Sequence, residues 1–192
     1  MVCDMTKSIY KQCPILEAKN FIFRLVALSD AEDLLACYAN PQAQAFFNTD
    51  NFPHNCAFNT VEEMAAYIRF WLVEYSQQAY VRFAIVSKQL QKAVGTIEMF
   101  GMVGKYKTDP GILRIDIAPA FECQVHLAEI LDVCVKNFYD MFGVSTIVTK
   151  AVPQAVDRIA ALESAGFRTC EYNGREHYYA RQKGCEFANE KP

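Results

Sequence analysis

The chain has 192 residues, 52% hydrophobic and 21% charged, with 19 basic against 22 acidic side chains and a formal net charge of −3. That hydrophobic content excludes a disordered chain, which cannot offset its ordering entropy, and the length suits one compact domain. The charge balance offers no basic footprint for nucleic acid, and no apolar run approaches the ~18 residues that cross a bilayer, so neither is expected as a partner. Residues 1–11 carry Asp4, Lys7 and Lys11 without a continuous apolar core and do not read as an export signal, so the expected location is cytoplasmic.

Eight cysteines are spread along the chain, the nearest neighbours ten residues apart, with no CxxC pair. A zinc site usually shows one short-spaced ligand pair, and only His54-x-Cys56 offers it, so no metal is expected. Disulfides are not expected without an export signal. Cys134 and Cys170 read as small core hydrophobes and the rest as incidental thiols.

Residues 20–28 (NFIFRLVAL) read as a strand. Ser29 with Glu32 three residues on forms a capping box, and Ala31, Leu34, Leu35 and Tyr38 keep helical spacing until Asn40-Pro41. Residues 41–59, with Pro41, Pro53, Phe46, Phe47 and Phe52, suit an irregular loop with a short helical turn. Thr60-x-x-Glu63 is a second capping box, and Val61, Met64, Ala65, Ile68, Trp71, Leu72 and Tyr75 then share one helical face. Residues 80–87 and 93–102 read as strands joined by the polar hairpin 88–92, and after the charged, Gly-containing stretch 104–111 another strand covers 112–118.

A long helix is expected over 124–142, apolar at Leu127, Ile130, Leu131, Cys134, Val135 and Phe138, with Gly143 as its stop. Residues 144–151 (VSTIVTKA) read as a strand buried on both faces and hence parallel to a neighbour. Pro153 opens a further helix carrying Val156, Ile159, Ala160 and Leu162, stopped by Gly166. Segments 167–172 and 176–182 flank Asn173-Gly174, a strong hairpin signal. The order β-α-α-β-β-β-α-β-α-β-β predicts an α+β (three-layer α/β) chain, one largely antiparallel mixed sheet with helices on both faces. It predicts a single domain over 1–192, with 1–12 and 183–192 peripheral.

Four stretches in this order resemble the GCN5-related N-acetyltransferase (GNAT) superfamily, in its branch that acetylates ribosomal-protein N-termini. They are Cys13-Pro14-Ile15-Leu16-Glu17 with Phe21-Ile22-Phe23-Arg24-Leu25, Ser29-Asp30-Ala31-Glu32-Asp33 with Ala39-Asn40-Pro41, Val94-Gly95-Thr96-Ile97-Glu98, and Ala160-Ala161-Leu162-Glu163-Ser164-Ala165-Gly166-Phe167. The resemblance covers roughly residues 13–182. It implies transfer of an acetyl group from acetyl-CoA to a primary amine, on a small molecule or a peptide. It also implies central strands that splay apart around the pantetheine arm, with the pyrophosphate on backbone N–H groups where a loop enters the following helix. Such a helix N-terminus presents unpaired donors and a positive dipole end to an anion. Mapped here, the cofactor-binding positions are Ile117, Ala118, Cys123, Gln124, Val125, His126 and Leu127.

The loop departs from the family pattern Arg/Gln-x-x-Gly-x-Gly/Ala, reading Glu122-Cys123-Gln124-Val125-His126-Leu127. Glu122 brings negative charge towards a pyrophosphate, and Val125 would be strained at a positive φ. The Asn-x-x-Ser that often opens the last helix reads Ala155-Val156-Asp157-Arg158. Two readings stand open: backbone amides still bind the cofactor, helped by Gln124 and His126, or the fold has lost acetyl-CoA binding and serves as a silent module for another ligand or a protein partner.

Acetyl transfer must deprotonate an ammonium and return a proton to a thiolate. Glu98 and Asp116 are the candidate bases, each placed by strand alternation on the face opposite its apolar neighbours, the alternative being a cross-strand pair with Arg82 or Arg114. The resemblance implies a tyrosine acid near the C-terminal strands; Tyr172, Tyr178 and Tyr179 are available there and Tyr139 in the long helix, and Tyr179 is the choice. The apolar segment carrying Phe46, Phe47, Phe52 and Phe58 also allows a homodimer.

Overall fold

The computed structural model describes residues 9–48, 50 and 58–185. The readings placed on His54, Cys56, Phe52 and Pro53, and on the outermost parts of both peripheral segments, lie outside the described residues.

A two-residue strand, β1 (Leu16–Glu17), precedes β2 (Phe21–Leu25), which ends three residues earlier than the apolar run suggests. The reason is Asp30. Its buried carboxylate accepts from both terminal nitrogens of Arg24, at 2.8 and 2.6 Å, and from the Ala27 N–H at 2.8 Å. That knot turns the chain through a 3-10 turn at Leu28–Asp30 into helix α1 (Ala31–Tyr38), so Asp30 does the work expected of Ser29. The short helix α2 (Pro41–Gln44) is capped by the Asn40 side chain, which accepts from the Gln42 N–H at 2.9 Å. Helix α3 (Val61–Ser76) starts at its capping residue: the Thr60 hydroxyl accepts from the Glu63 N–H at 3.1 Å, and Glu63 accepts from the Asn59 N–H at 2.7 Å.

Strands β3 (Val81–Ser87), β4 (Lys92–Phe100) and β5 (Gly111–Ile117) continue an antiparallel meander from β2. Helix α4 (Gln124–Phe142) follows, its expected apolar positions all buried and its end set by Gly143 at φ 65°. It returns the chain to β6 (Thr146–Lys150), which lies parallel to β5. Helix α5 (Val156–Ser164) begins three residues beyond Pro153 and leads to the hairpin β7 (Arg168–Tyr172) and β8 (Arg175–Gln182), turned by Asn173 and Gly174, both at positive φ. The eight strands form one open mixed sheet in the order β1-β2-β3-β4-β5-β6-β8-β7. Among the described residues only β5 and β6 pair in parallel; β8 inserts beside β6 and leaves β7 at the edge.

Alternation along the strands separates two cores. Val81, Phe83, Ile97, Met99, Leu113, Ile115 and Ile117 face α4 and α5, while Ala84 and the helices α1 and α3 enclose Leu34, Tyr38, Met64, Ile68 and Trp71 on the other side. Cys134 is a core residue as expected; Cys170 is only half-buried on β7, and Cys37, read as incidental, lies in the α1 core. No helix of the described residues is long and apolar enough to cross a membrane.

At the centre, Gly95 on β4 stands opposite Ile117 on β5, and a Cβ there would lie 2.3 Å from the Asp116 carbonyl and 2.7 Å from the Ile117 Cα. Gly95→Ala is therefore expected to lower stability by about 1–3 kcal/mol through overpacking. Urea unfolding checks this as a lower midpoint at unchanged slope, and an unmoved midpoint would show that the two strands part without cost.

Candidate active site

Strand β5 has seven residues, yet only Gly111 and Ile112 pair with β6, opposite Ile147 and Val148. Beyond them the two strands diverge and leave one edge of β5 without a strand neighbour. The chain leaves β5 through a 3-10 turn at Pro119–Phe121 and enters α4 at Cys123, whose extended backbone makes it the N-cap residue. The loop thus meets the expected gap, at the expected place.

No residue from Ala118 to Leu127 has a positive φ. Val125 stands in ordinary helical backbone, its side chain 73% exposed, so the strain anticipated for a β-branched residue does not arise. The Ala118 N–H donates to the Val94 carbonyl at 2.8 Å, and the Leu127 N–H to the Cys123 carbonyl at 3.0 Å, so these two amides are committed. Gln124, Val125 and His126 occupy the first turn, where no intrahelical acceptor exists for their N–H groups. The His126 ring turns back towards the sheet, edge-on to Phe21 at 5.4 Å and tilted on Phe121 at 5.3 Å, with Nδ1 3.2 Å from the Cys123 sulfur. The side chains of Ile117 and Leu127 are core residues.

Glu122 is not a free negative charge. Its carboxylate is held by Arg158 of α5 in a two-pronged pair, Nε to Oε1 at 2.7 Å and Nη2 to Oε2 at 2.6 Å, with both side chains about 95% buried (5% and 6% exposed). Arg158 Nη1 donates further to the Ile115 carbonyl at 2.9 Å and the Phe46 carbonyl at 3.3 Å. The guanidinium therefore lies against the unpaired edge of β5, where the strands part. Sequence reasoning missed this residue because helical spacing placed Val156 inward; instead Val156 is 70% exposed and Arg158 buried. The signal that was available is that the family departures at 122 and 158 are of opposite charge.

The segment after α2 covers the same gap. Phe46 meets Arg158, and Asp50 reaches the far strands, accepting from Lys150 Nζ at 2.5 Å and from the Tyr178 hydroxyl at 3.1 Å. Among the described residues, an opening beside the gap, lined by Phe46, Glu122 and residues 154–158, has about 130 Å³. The two ends of the gap differ in their fit to acetyl-CoA. The first turn of α4 suits a diphosphate, but Arg158 fills the place between the strands that an extended pantetheine arm requires.

The three proposed catalytic side chains are not brought together. Glu98 and Asp116 face α1 and α3, whereas Tyr179 belongs to the core under α4 and α5, where burial and Glu163 raise its pKa. Arg82, Glu98 and Arg114 stand side by side across β3, β4 and β5, with Thr96 and Asp116 adjacent in the next row. Arg82 pairs with Glu98 and, at 3.4 Å, with Asp116; Arg114 Nε lies 2.7 Å from Asp116. The Tyr38 hydroxyl donates to Asp116 at 2.9 Å, and Arg82 stacks on the Trp71 ring at 4.2 Å. Asp116 is wholly buried; burial pushes its pKa up, but Arg114 and Arg82 outweigh that and hold it below the usual carboxylate value. The opposite-charge alternative weighed for these carboxylates, pairing with Arg82 and Arg114, is the arrangement present.

An open mixed sheet whose single parallel pair parts beside a helix N-terminus is the architecture of acyl-group transferases of the N-acetyltransferase type. The chain belongs to the acetyltransferase (GNAT) domain family, whose model matches residues 20–168. It is 22% identical over 134 residues to the uncharacterized N-acetyltransferase YoaA of Bacillus subtilis (strain 168), covering 70% of this chain and 71% of that protein. Two solved structures share the fold at low identity. The ribosomal-protein-S5-alanine acetyltransferase of Vibrio fischeri superposes with a TM-score of 0.67 at 13% identity, over 93% of this chain and 100% of the other. The ribosomal L7/L12 α-N-protein acetyltransferase RimL, solved in complex with coenzyme A, gives 0.66 at 14% identity over 88% and 98%.

Replacing Asp116 by Asn removes one charge from a buried, net-neutral cluster and is expected to cost about 3–5 kcal/mol. Because the folded pKa of Asp116 lies below its unfolded value of about 3.9, its contribution is present above that pH and is lost as pH falls towards the folded value. Urea midpoints measured between pH 7 and 3 should fall more steeply for the wild type than for Asp116→Asn; parallel profiles would show that Asp116 is not held as an anion.

Proposed function

We propose that this protein is an acetyl-CoA-dependent N-acetyltransferase that acylates a primary amine on a small molecule or a peptide. The observation that carries the reading is the parting of β5 and β6 beside the first turn of α4, where the N–H groups of Gln124, Val125 and His126 have no partner within the helix. In this reading those amides hold the diphosphate and the dipole of the 19-residue helix adds to them. Ile117 and Leu127 contribute packing, and Cys123 sets the helix start. In this reading Glu98 and Asp116 tie the central strands together, each committed to a guanidinium. Tyr179, on the opposite face, shapes the α5 side.

One observation favours a second reading, a silent binding module: Arg158 and Glu122 fill the strand gap. Thermal unfolding with and without millimolar acetyl-CoA decides between the two. A ligand at tenfold its Kd stabilises the fold by about 1.4 kcal/mol, which is a rise of about 3–6 °C for a chain of this size. We expect that rise, and release of the coenzyme A thiol when amines are added. An unmoved transition up to the solubility of the ligand would reject acetyl-CoA dependence and leave the module.

A further inference from the structure

Two positions that depart from the family pattern lie 36 residues apart, yet they form one buried, bidentate ion pair. The pair is not at the rim. Its guanidinium also donates to the Ile115 carbonyl, on the edge of β5 that faces the parted strands, and to the Phe46 carbonyl on the segment above. Both partners are about 95% buried, so the pair is desolvated and its geometry uses both prongs of each group.

We propose that Glu122 and Arg158 are a gate on the cofactor channel: the ion pair and an extended coenzyme A arm compete for the same edge of β5, so the arm enters only when the pair has opened. This rests on the acetyl-CoA reading above and specifies how that site is regulated. The Ile115 carbonyl is an obligatory acceptor in a dry place, and without a strand neighbour it takes its hydrogen bond from Arg158. Glu122 fixes the guanidinium there and neutralises it, which makes the closed arrangement self-sufficient. The apparent affinity for coenzyme A is then the intrinsic affinity reduced by the fraction of molecules with the gate open.

The test is calorimetric titration with coenzyme A itself, which reads binding without turnover. Three proteins are compared: the wild type, Glu122→Gln, and Glu122→Gln combined with Arg158→Ser. The single variant keeps the size of Glu122 and leaves Arg158 its carbonyl bonds, and the double variant removes both charges together, so the two differ in how they could destabilise the fold; circular dichroism checks both. The expected result is a Kd several-fold lower in the single variant and at least tenfold lower in the double variant. Equal Kd values in all three, or weaker binding in the variants, would overturn the gate and leave the acetyltransferase reading intact. Absence of binding heat in all three folded proteins would overturn the gate together with acetyl-CoA dependence.

Discussion

Among the described residues, strands β5 and β6 pair only at Gly111 with Ile147 and Ile112 with Val148, and from Leu113 onward the inner edge of β5 must find other partners. A buried backbone carbonyl without a donor costs about as much as a lost hydrogen bond. That requirement organises the cleft. It brings Arg158 down from α5 onto Ile115, it gives Glu122 a counter-ion, and it draws the Phe46 carbonyl over the same guanidinium. The first turn of α4 follows directly on Glu122, and its first N–H groups have no acceptor within the helix.

On the other face of the same strands the sheet is held by charge. Arg82, Glu98 and Arg114 alternate in sign across three neighbouring strands, and Asp116 in the next row completes a neutral set under Tyr38 and Trp71. Burying four charges is costly, and what makes it tolerable is that each ion has an opposite partner within hydrogen-bond distance. The cluster ties α1 and α3 to the central strands through side chains that also cross-link the strands to one another. Arg114 and Arg82 hold the Asp116 carboxyl below its usual range, and the cluster as a whole cross-links the central strands beneath the cleft.

Most of the secondary structure was legible because it was written in local patterns. The 19 residues of α4 keep strict helical spacing and end at a glycine in the left-handed conformation, Asn173-Gly174 turns its hairpin, and Thr60 with Glu63 starts α3. The start of α1 was misread by local rules, since Asp30 is drawn inward by Arg24, a residue of the preceding strand. The α5 face was misread for the same kind of reason. Helical spacing and polarity both send Arg158 outward, and only a carboxylate 36 residues away together with an unpaired strand edge make its burial favourable.

The sequence alone determined most of the element order and the mixed sheet, because hydrophobic periodicity, caps and turn residues act over a few positions and survive without knowledge of the fold; the two-residue β1 carries no such pattern, and the family came from the resemblance of four stretches rather than from periodicity. The sequence also marked Glu122 and Arg158 as departures, but could assign each only its own charge. Whether those charges oppose a ligand or satisfy one another depends on a distance that the chain acquires when α4 carries β6 back beside β5. Tertiary structure decided that they meet, that Glu98 and Asp116 are held by arginines, and that Tyr179 lies on the far face, because pairing energies depend on separation and burial, which no linear spacing records.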